Sequence, residues 1–349
     1  MADPLLLIGS VPYETVEEVF RNWGGALAPY LPSMPDGEVG DRRYWIDGVA
    51  YRVFNGHPEL ETLKRPAPDE DGVEHWQPRS VADEWKFRVR EGVGRVRFGD
   101  PGWRLGFAKD AINSYFIFRK LKEEGVIPAS VRFQVSLPLT NSVIFPHFLD
   151  PADHPKIIPG YEAAVRAEVA KIVEKIPPRE LCIQWDAAIE MGHMEGRWSH
   201  IKGDPLENGV ATIPNLVPFI PAEVRVGYHL CFGTLGGWPL TQPQDLANPV
   251  RWANAAIERS GRRIDFVHIP TLDRSDDAFY APLSELRLQG ADPYLGLIHN
   301  MERFKERLAT ARRFLPQFGL AAPCGFGREP TSALALRRQE HLDALKLAE

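Results

Sequence analysis

Short apolar runs rich in β-branched residues recur along this chain of 349 residues, and amphipathic helical patterns lie between most of them. The length and composition of seven runs predict β-strands. These runs cover residues 5–9, 131–137, 181–186, 224–231, 264–269, 294–299 and 320–324. Helical periodicity is clear at residues 161–175 and 301–314, where apolar side chains recur every three or four positions. Strands that alternate with helices predict a parallel sheet.

A weaker run at residues 104–107, ahead of a predicted helix at 110–124, could supply an eighth strand. Eight such units close a (β/α)8 barrel, so we predict an α/β TIM barrel that forms one domain over residues 1–349. A barrel typically needs about 250 residues. The surplus lies at residues 32–102, after the first predicted strand, and 190–221, after the fourth. Because both insertions follow strands, we expect them at the barrel mouth, where ligands bind.

Composition and charge exclude several classes of partner. The formal net charge is −6, from 41 Lys plus Arg and 47 Asp plus Glu, so we expect no nucleic acid and no membrane as a partner. No apolar run approaches the roughly 20 residues of a membrane span, and residues 5–8 follow no basic stretch. These features predict a cytoplasmic protein. The three cysteines cannot form a closed disulfide framework, which leaves reduced thiols, metal ligands or core residues.

The most specific chemical pattern is formed by His229 and Cys231, at the end of a predicted strand and ahead of a glycine-rich turn. Side chains two residues apart share one face of a strand, so both could reach one ion. Cys324 ends the last predicted strand, and the strand ends of a barrel meet at one mouth. This donor set selects zinc, and a vacant fourth position would mark a catalytic site. Alternatively, all three are buried packing residues.

Five segments, in this order, resemble the cobalamin-independent methionine synthases, in their C-terminal catalytic barrel, and the related zinc-dependent alkyl transferases. The segments are Ile8-Gly9-Ser10-Val11-Pro12, Cys182-Ile183-Gln184-Trp185-Asp186, His229-Leu230-Cys231, Gly296-Leu297-Ile298-His299 and Pro323-Cys324-Gly325-Phe326-Gly327-Arg328. The resemblance spans most of the chain and implies a methyl or alkyl transferase with a barrel fold.

In the family that the chain resembles, zinc is held by a His, two Cys and a Glu, and it activates the thiol that accepts the methyl group. The resemblance therefore implies Zn2+ as the cofactor, with His229, Cys231 and Cys324 as three ligands. Where the family has its Glu, this chain has Pro270 or a neighbour. His268 shares the face of Pro270 and is the best substitute ligand. The alternatives are an open position filled by water or substrate, and a His268 that is a core residue.

Gln184, Trp185 and Asp186 match the start of a Gln-x-Asp-Glu-Pro run that receives the amino group of the substrate in the family. This chain keeps the Asp and continues with Ala187. The resemblance implies Asp186 as a catalytic residue, with Gln184 beside it in the barrel interior. Trp185 would belong to an aromatic pocket that suits a flat or apolar substrate. Asp186 could instead cap the helix that follows.

Two further positions match the family. His299 ends the seventh strand, where family members carry a His that moves a proton during methyl transfer, and its ordinary pKa suits such a role. Its alternative role is that of a helix-capping or solvent-facing residue. Ser10 could bond a substrate carboxylate as the Gly-Ser of the family does. An ordinary turn residue is the alternative for Ser10.

A loop beyond the first helix concentrates charge and glycine. Asp36 and Glu38 could order a substrate amine or act as acid and base, and Arg42 could hold a carboxylate. The first loops of a barrel come close to its mouth, which favours a binding role over that of a solvated loop.

Three hypotheses of function follow. The first is a zinc-dependent, methionine-synthase-like enzyme that activates a small-molecule thiol and alkylates it from a methyl or alkyl donor. The second keeps the zinc but uses it in a lyase, hydrolase or demethylase that acts on a small aromatic or carbonyl compound. The third is a metal-free barrel, either decarboxylase-like or a binding protein. Neither the donor, the acceptor nor the oligomeric state follows from the sequence.

Overall fold

The computed structural model describes residues 4–99 and 103–349. Its strands are β1 (Leu5–Leu6), β2 (Ser33–Pro35), β3 (Leu60–Lys64), β4 (Lys86–Val89), β5 (Arg132–Pro138), β6 (Leu181–Ala187), β7 (Arg225–Leu230), β8 (Phe266–Pro270), β9 (Asp292–Gly296) and β10 (Gly319–Ala321). Its helices are α1 (Val16–Leu27), α2 (Trp45–Val49), α3 (Phe107–Glu123), α4 (Thr140–His147), α5 (His154–Lys175), α6 (Ile189–Met194), α7 (Pro205–Val210), α8 (Ile213–Leu216), α9 (Ala247–Arg259), α10 (Asp277–Tyr280), α11 (Phe304–Phe314) and α12 (Leu334–Ala348).

Eight of the strands form one parallel sheet in the order β1-β10-β9-β8-β7-β6-β5-β2. The two end strands approach each other, because the amide of Val11 donates to the carbonyl of Gly37 at 2.8 Å, joining the segments that follow β1 and β2. Gln134 adds a bridge by donating to the carbonyl of Leu7 at 3.0 Å. The predicted (β/α)8 barrel is therefore confirmed.

The eighth strand is not at residues 104–107, and that prediction is wrong. Residues 103–106 form no strand, and α3 begins at Phe107. The missing strand is β2, which pairs with β5. A strand of three residues that ends in Pro35 is too short to show a period of two. Its carboxyl end nevertheless delivers the loop of Asp36 and Glu38 to the barrel mouth.

The two insertions have different structures. The segment predicted at 32–102 contains β2, then α2 and the antiparallel hairpin β3–β4, so the true insertion follows the second barrel strand rather than the first. Residues 100–102, at its end, lie outside the described residues. The segment 190–221 follows β6, the fourth barrel strand, as predicted, and it holds most of α6 together with α7 and α8.

The barrel interior is packed from alternate strand residues. Leu6, Ile8, Cys182, Phe266, Tyr294 and Ala321 form a buried cluster of their own, apart from the larger core between sheet and helices. Gly227 faces this interior closely, since a Cβ there would lie 2.3 Å from the ring of Phe266. The interior is a filled core, so ligands must bind above it, at the carboxyl ends of the strands. Among the described residues, no helix combines the length and the apolar character that a membrane span requires.

Candidate metal centre

His229, Cys231 and Cys324 converge at the carboxyl ends of β7 and β10. The two thiol sulfurs lie 3.3 Å apart, and the Cys324 sulfur lies 3.9 Å from Nε2 of His229. One donor atom from each of the three residues lies within 4.8 Å of the other two. His229 and Cys231 are buried, and Cys324 is partly exposed. The structure thus brings together the three residues that the sequence predicted as metal ligands.

This geometry fits a tetrahedral zinc ion. With Zn–S near 2.3 Å and Zn–N near 2.0 Å, two ligands of a tetrahedral ion stand roughly 3.3–3.8 Å apart, so small rotations of these side chains would suffice. The neighbouring Cys231 thiol and burial hold the pKa of Cys324 well above its usual range, and His229 partly opposes them. Two thiols so close together lose their protons readily only when a cation offsets their charge, as zinc would.

The backbone around the centre is tightly packed. Gly296, at the end of β9, leaves room for its neighbours: a Cβ there would lie 2.6 Å from Cα of Pro323 and 3.0 Å from Cα of Pro270. The amide of Gly233 donates to the sulfur of Cys231 at 3.3 Å and orients that thiol toward Cys324. Close packing of this kind holds donor atoms in place before any ligand binds.

His268 lies behind His229 rather than beside the two cysteines. The two Nδ1 atoms are 2.8 Å apart, and His268 is fully buried on β8. Burial and the neighbouring His229 ring hold the pKa of His268 well below its usual range, so this ring is neutral. The structure does not bring His268 into the group of donor atoms. Its ring contacts the His229 ring instead, and paired rings of this kind are common around metal-binding histidines.

The side chains of two carboxyl residues, Asp186 and Glu38, stand next to the centre. The pKa of Asp186 is raised well above its usual range by burial, by Glu38 and by Cys324, although an amide hydrogen bond from Gln184 at 2.9 Å opposes this. Pro270 ends β8 with no carboxylate at that position. Asp186 and Glu38 are therefore acidic groups that reach the region of the centre from β6 and from the loop after β2.

A cavity of about 920 Å³, partly continuous with solvent, opens above the three donor residues. Its polar wall includes Ser10, Glu38 and Asp186. Apolar side chains of the two insertions, of the start of α6 and of the loop after β7 also line it; they include Ile46, Ile189, Trp198, Leu235 and Leu240. Residues of both predicted insertions therefore line this cavity.

Glu38 holds an unusual position in this wall. Its backbone is left-handed, with φ of 48°, and its carboxyl group lies over Gly9, where a Cβ would be 3.4 Å from Oε1. Burial, and then the charge of Asp36, raise the pKa of Glu38 to about 8 against the opposing effects of Arg42 and Arg328. Non-glycine residues with positive φ often occur at functional sites.

Asp36 and Arg42 shape the loop and do not line the cavity above the centre. Asp36 accepts from Arg42 at 2.8 Å, from Ser114 at 2.5 Å and from the amide of Glu38 at 2.9 Å. Both line a separate cavity, toward β5 and α3, which shares Glu38 with the first. Their observed contacts hold Glu38 in position.

Ser10, Gln184 and Trp185 have three different environments. Ser10 lines the cavity and packs against the loop after β10, since a Cβ on Gly327 would lie 2.7 Å from its Oγ. Gln184 is fully buried and donates to the carbonyl of Ile8 at 2.7 Å, so it joins barrel strands below the cavity. Trp185 lies in the outer core and does not line the cavity, because its neighbours in β6 take the inward face.

His299 lies outside the cavity lining. Its ring is 3.4 Å from the hydroxyl of Thr271, and burial, followed by the charge of Arg307, lowers its pKa to about 4. The imidazole is therefore neutral at physiological pH. The proton-transfer role predicted for His299 stays a prediction, and the structure gives it no contact with the three donor residues.

Several other polar or aromatic residues of the cavity were not predicted as site residues, and Asp47, Glu84, Trp198 and Arg328 are four of them. Three belong to the insertions, whose place at the mouth was predicted but whose side chains carry no periodic pattern. Arg328 lies in the Cys-Gly-Phe-Gly-Arg segment, with its guanidinium 3.6 Å from the centroid of the Tyr44 ring. Its closeness in sequence to Cys324 was the available signal.

No family model and no curated protein matches the chain by sequence. Its fold is similar to that of a B12-independent methionine synthase from Shewanella sp. W3-18-1, solved with selenomethionine. That alignment covers 100% of this chain and 97% of the other, with a TM-score of 0.62 and 14% identity. A putative vitamin-B12 independent methionine synthase from Listeria monocytogenes aligns over 98% and 95%, with a TM-score of 0.55 and 15% identity. The predicted resemblance is thus confirmed in the architecture: the chain has the fold of the B12-independent methionine synthases over nearly its whole length.

Proposed function

We propose that this protein is a zinc-dependent methyl or alkyl transferase that activates a thiol substrate. The observation that carries the proposal is the convergence of His229, Cys231 and Cys324 within 4.8 Å on the wall of a ligand-sized cavity. Zinc held by these residues would lower the pKa of a bound thiol, and the thiolate is the nucleophile in alkyl transfer. The fold shared with methionine synthases supports the same chemistry.

The chain supplies three protein ligands and leaves a fourth position for the thiol. Two cysteines and a neutral imidazole give the site one negative charge fewer than a set that also contains a glutamate. The lower charge makes the cation a stronger Lewis acid and favours tight binding of an anionic sulfur. Asp186, Glu38 and Ser10 line the same cavity and offer hydrogen-bonding groups to the polar part of a substrate.

The apolar wall contributes by excluding water. Ile46, Trp198 and Leu240 stand on the same cavity as the donor residues. Apolar walls reduce the number of water molecules around a thiolate and so favour its attack on an alkyl carbon. The partners that we propose are a small-molecule thiol and a small alkyl donor. We further propose that residues 1–349 form one domain and that the protein works in the cytoplasm, where cysteines stay reduced.

One observation favours the second candidate, a zinc-dependent lyase, hydrolase or demethylase. Glu38, with its pKa near 8, lines the cavity together with the donor residues. A carboxyl group that is protonated at neutral pH can act as a general acid beside a Lewis acid. Such an enzyme would bind water or a carbonyl oxygen where the transferase binds a thiol.

Elemental analysis of the purified protein tests the metal. We expect about one zinc ion per chain, and loss of most of it in Cys231→Ser and in Cys324→Ser. Cys182→Ser is the matched control, because Cys182 is a fully buried thiol of the barrel interior, outside the group of donor atoms. Metal below roughly a tenth of an ion per chain, after purification without chelators, would leave the metal-free barrel as the explanation.

Mass spectrometry of thiols incubated with the zinc-loaded protein and alkyl donors tests the reaction. The transferase should yield an alkylated thiol, and Cys324→Ser should not. If zinc is present but no thiol binds and none is alkylated, the lyase or hydrolase is favoured instead.

A further inference from the structure

Arg328 stands at the junction of two cavities. It lines the cavity that holds the candidate metal ligands, and it also lines an outer cavity of about 950 Å³ that is largely open to solvent. Tyr44 and Leu235 belong to both linings as well. A ligand that reaches from the inner cavity into the outer one therefore passes these three side chains.

The turn that carries Arg328 is fixed to the barrel. The amide of Phe326 donates to the carbonyl of Ser10 at 2.6 Å, and the amide of Glu329 donates back to the carbonyl of Phe326 at 2.8 Å. Arg328 follows the candidate ligand Cys324 by four residues, and the charge of the guanidinium acts on that thiol. The backbone of this turn therefore sets the position of Arg328 relative to Cys324.

Two contacts orient the guanidinium group of Arg328. Its Nη1 donates to the carbonyl of Arg43 at 2.7 Å, and the group lies over the Tyr44 ring at 3.6 Å from the centroid. Among the residues that the structure describes, Nε and Nη2 of Arg328 have no hydrogen-bond partner, and no carboxylate forms an ion pair with it. These two nitrogens form the edge through which a guanidinium binds a carboxylate, or a similar anion, by two parallel hydrogen bonds.

Nearby acidic side chains leave this edge free. The charges of Glu38 and Asp47 act on Arg328, but neither residue is bonded to it. Burial, and then the charge of Asp36, raise the pKa of Glu38 to about 8, so its carboxyl group is protonated at pH 7 and does not neutralise the guanidinium. Arg42, which the sequence suggested as a carboxylate ligand, is instead paired with Asp36 at 2.8 Å. The free cationic edge in the inner cavity is thus that of Arg328.

We propose that Arg328 determines specificity for a thiol substrate that carries a carboxylate or a comparable anionic group, and that Nε and Nη2 of Arg328 bind this group. The inference rests on the proposed transferase function, which places the sulfur of the substrate at the metal. Cys324 and Arg328 belong to one turn and line one cavity, so one small molecule can reach both. The guanidinium also offsets the negative charge that a thiolate adds to a metal with two cysteine ligands.

This assignment narrows the class of thiol. A neutral thiol leaves the free edge of Arg328 without a partner, and a thiol with a cationic end is repelled by it. The outer cavity places no wall directly beyond Arg328, and its lining includes a further cation, Arg79, together with His75 and Asp69. The anionic end of the substrate can therefore be larger than a single carboxylate.

Titration of the cobalt-loaded full chain with two thiols tests the specificity. The probes 3-mercaptopropionate and 3-mercapto-1-propanol have the same length, but only the first carries a charge at its far end at pH 7. We expect the parent protein to bind the carboxylate about 10- to 100-fold more tightly, as measured from the visible spectrum. In Arg328→Gln this preference should disappear, while the cobalt content and the Kd of the alcohol change little. Equal affinities in the parent, or a preference that survives in Arg328→Gln, would refute the proposal.

Two further variants separate the geometry of Arg328 from its charge. Arg328→Lys keeps the charge but lacks the two-nitrogen edge, so it should retain only part of the preference. Arg119→Gln is the matched control, because Arg119 is an exposed residue of α3 that pairs with Glu123 at 2.9 Å and lines neither cavity. This control should keep the full preference. A loss in Arg119→Gln as large as that in Arg328→Gln would show that the net charge of the protein causes the preference, and the assignment to Arg328 would fall.

Nitrogen-15 NMR of the arginine side chains in the full chain as purified tests the anion site apart from the proposed function. Propionate should shift the Nε–H signal of Arg328 in a saturable manner, and 1-propanol should not; the loss of this signal in Arg328→Gln assigns it. A signal that propionate does not move would overturn the proposal, whatever thiols do to the cobalt spectrum. If propionate shifts the signal but no thiol binds the cobalt protein, the proposed function fails, and Arg328 is an anion site without a role in thiol specificity.

Discussion

His229 and His268 face each other through their Nδ1 atoms at 2.8 Å, on neighbouring strands of the barrel. Only one of the two nitrogens can carry the hydrogen between them. If Nε2 of His229 binds a metal, its Nδ1 keeps a hydrogen and donates it to His268, whose ring is neutral and can accept. His268 thus selects the tautomer of His229 that has a free lone pair on the side of Cys324.

The first prediction concerns this tautomer. His268→Ala should weaken zinc binding by about 10- to 100-fold without abolishing it, since the three ligands remain but His229 loses its orienting partner. His229→Ala should reduce zinc content to background. Competition with a chromophoric chelator measures both affinities. Equal losses in the two variants would show that His268 is itself a ligand, as the sequence suggested.

The second prediction concerns the fourth coordination position of the proposed zinc ion. Cobalt in place of zinc should give a visible spectrum, and added homocysteine or 2-mercaptoethanol should shift it as sulfur joins the metal. Asp186→Asn should leave the cobalt content intact, because Asp186 lies outside the three-residue group. The same variant should weaken the response to homocysteine more than that to 2-mercaptoethanol, which has no amino group. A spectrum that no thiol changes would favour a water-binding site.

The third prediction concerns Trp198, which has φ of 55° and lines the cavity. In Gly192→Ala, the new Cβ would lie 2.1 Å from Cζ3 of the Trp198 ring, so the indole must move. We expect a loss of about 1–3 kcal/mol in the free energy of unfolding and a changed KM for the alkyl donor. Gly25→Ala is the control, because nothing lies within 4 Å of its Cβ; this helical site should gain up to about 1 kcal/mol. Urea denaturation compares the two.

The sequence predicted most of the barrel because seven of its strands are apolar runs with a clear composition. The predicted helices 110–124, 161–175 and 301–314 correspond to α3, α5 and α11, and five of their six ends lie within three residues of the observed ends. It missed β2, where three residues and a terminal proline leave no periodicity. Register along a strand also predicted which side chains point inward, so His229 and Cys231 were found together.

The period of a strand does not say what stands behind an inward-facing residue. His268 was predicted at the correct strand and on the correct face, but the structure places it against His229 and not among the donor atoms. Nε2 of His147 and Oδ1 of Asp47 lie 3.5 Å apart, yet the two residues are 100 positions apart in sequence, in α2 and at the end of α4, and no local pattern links them. Contacts of this kind depend on how the insertion folds onto the barrel, and a local sequence pattern does not show that packing.

The last prediction concerns pH and the stability of the metal-free protein. Burial raises the pKa of Glu38 to about 8, above its value near 4.5 in an unfolded chain, so the native state holds a proton that the unfolded state releases. The resulting stability is complete below about pH 4.5 and is lost as the pH rises toward 8, with a slope of at most about 1.4 kcal/mol per pH unit.

Glu38→Gln cannot ionise, so its stability should decline less over this range. Glu190→Gln is the matched comparison. Burial raises the pKa of Glu190 to about 7, so the stability that depends on a protonated Glu190 should be lost by about pH 7 rather than pH 8. Urea denaturation from pH 5 to 9 measures the three proteins, and parallel curves for the parent and Glu38→Gln would show that Glu38 is ionised in the native state at neutral pH.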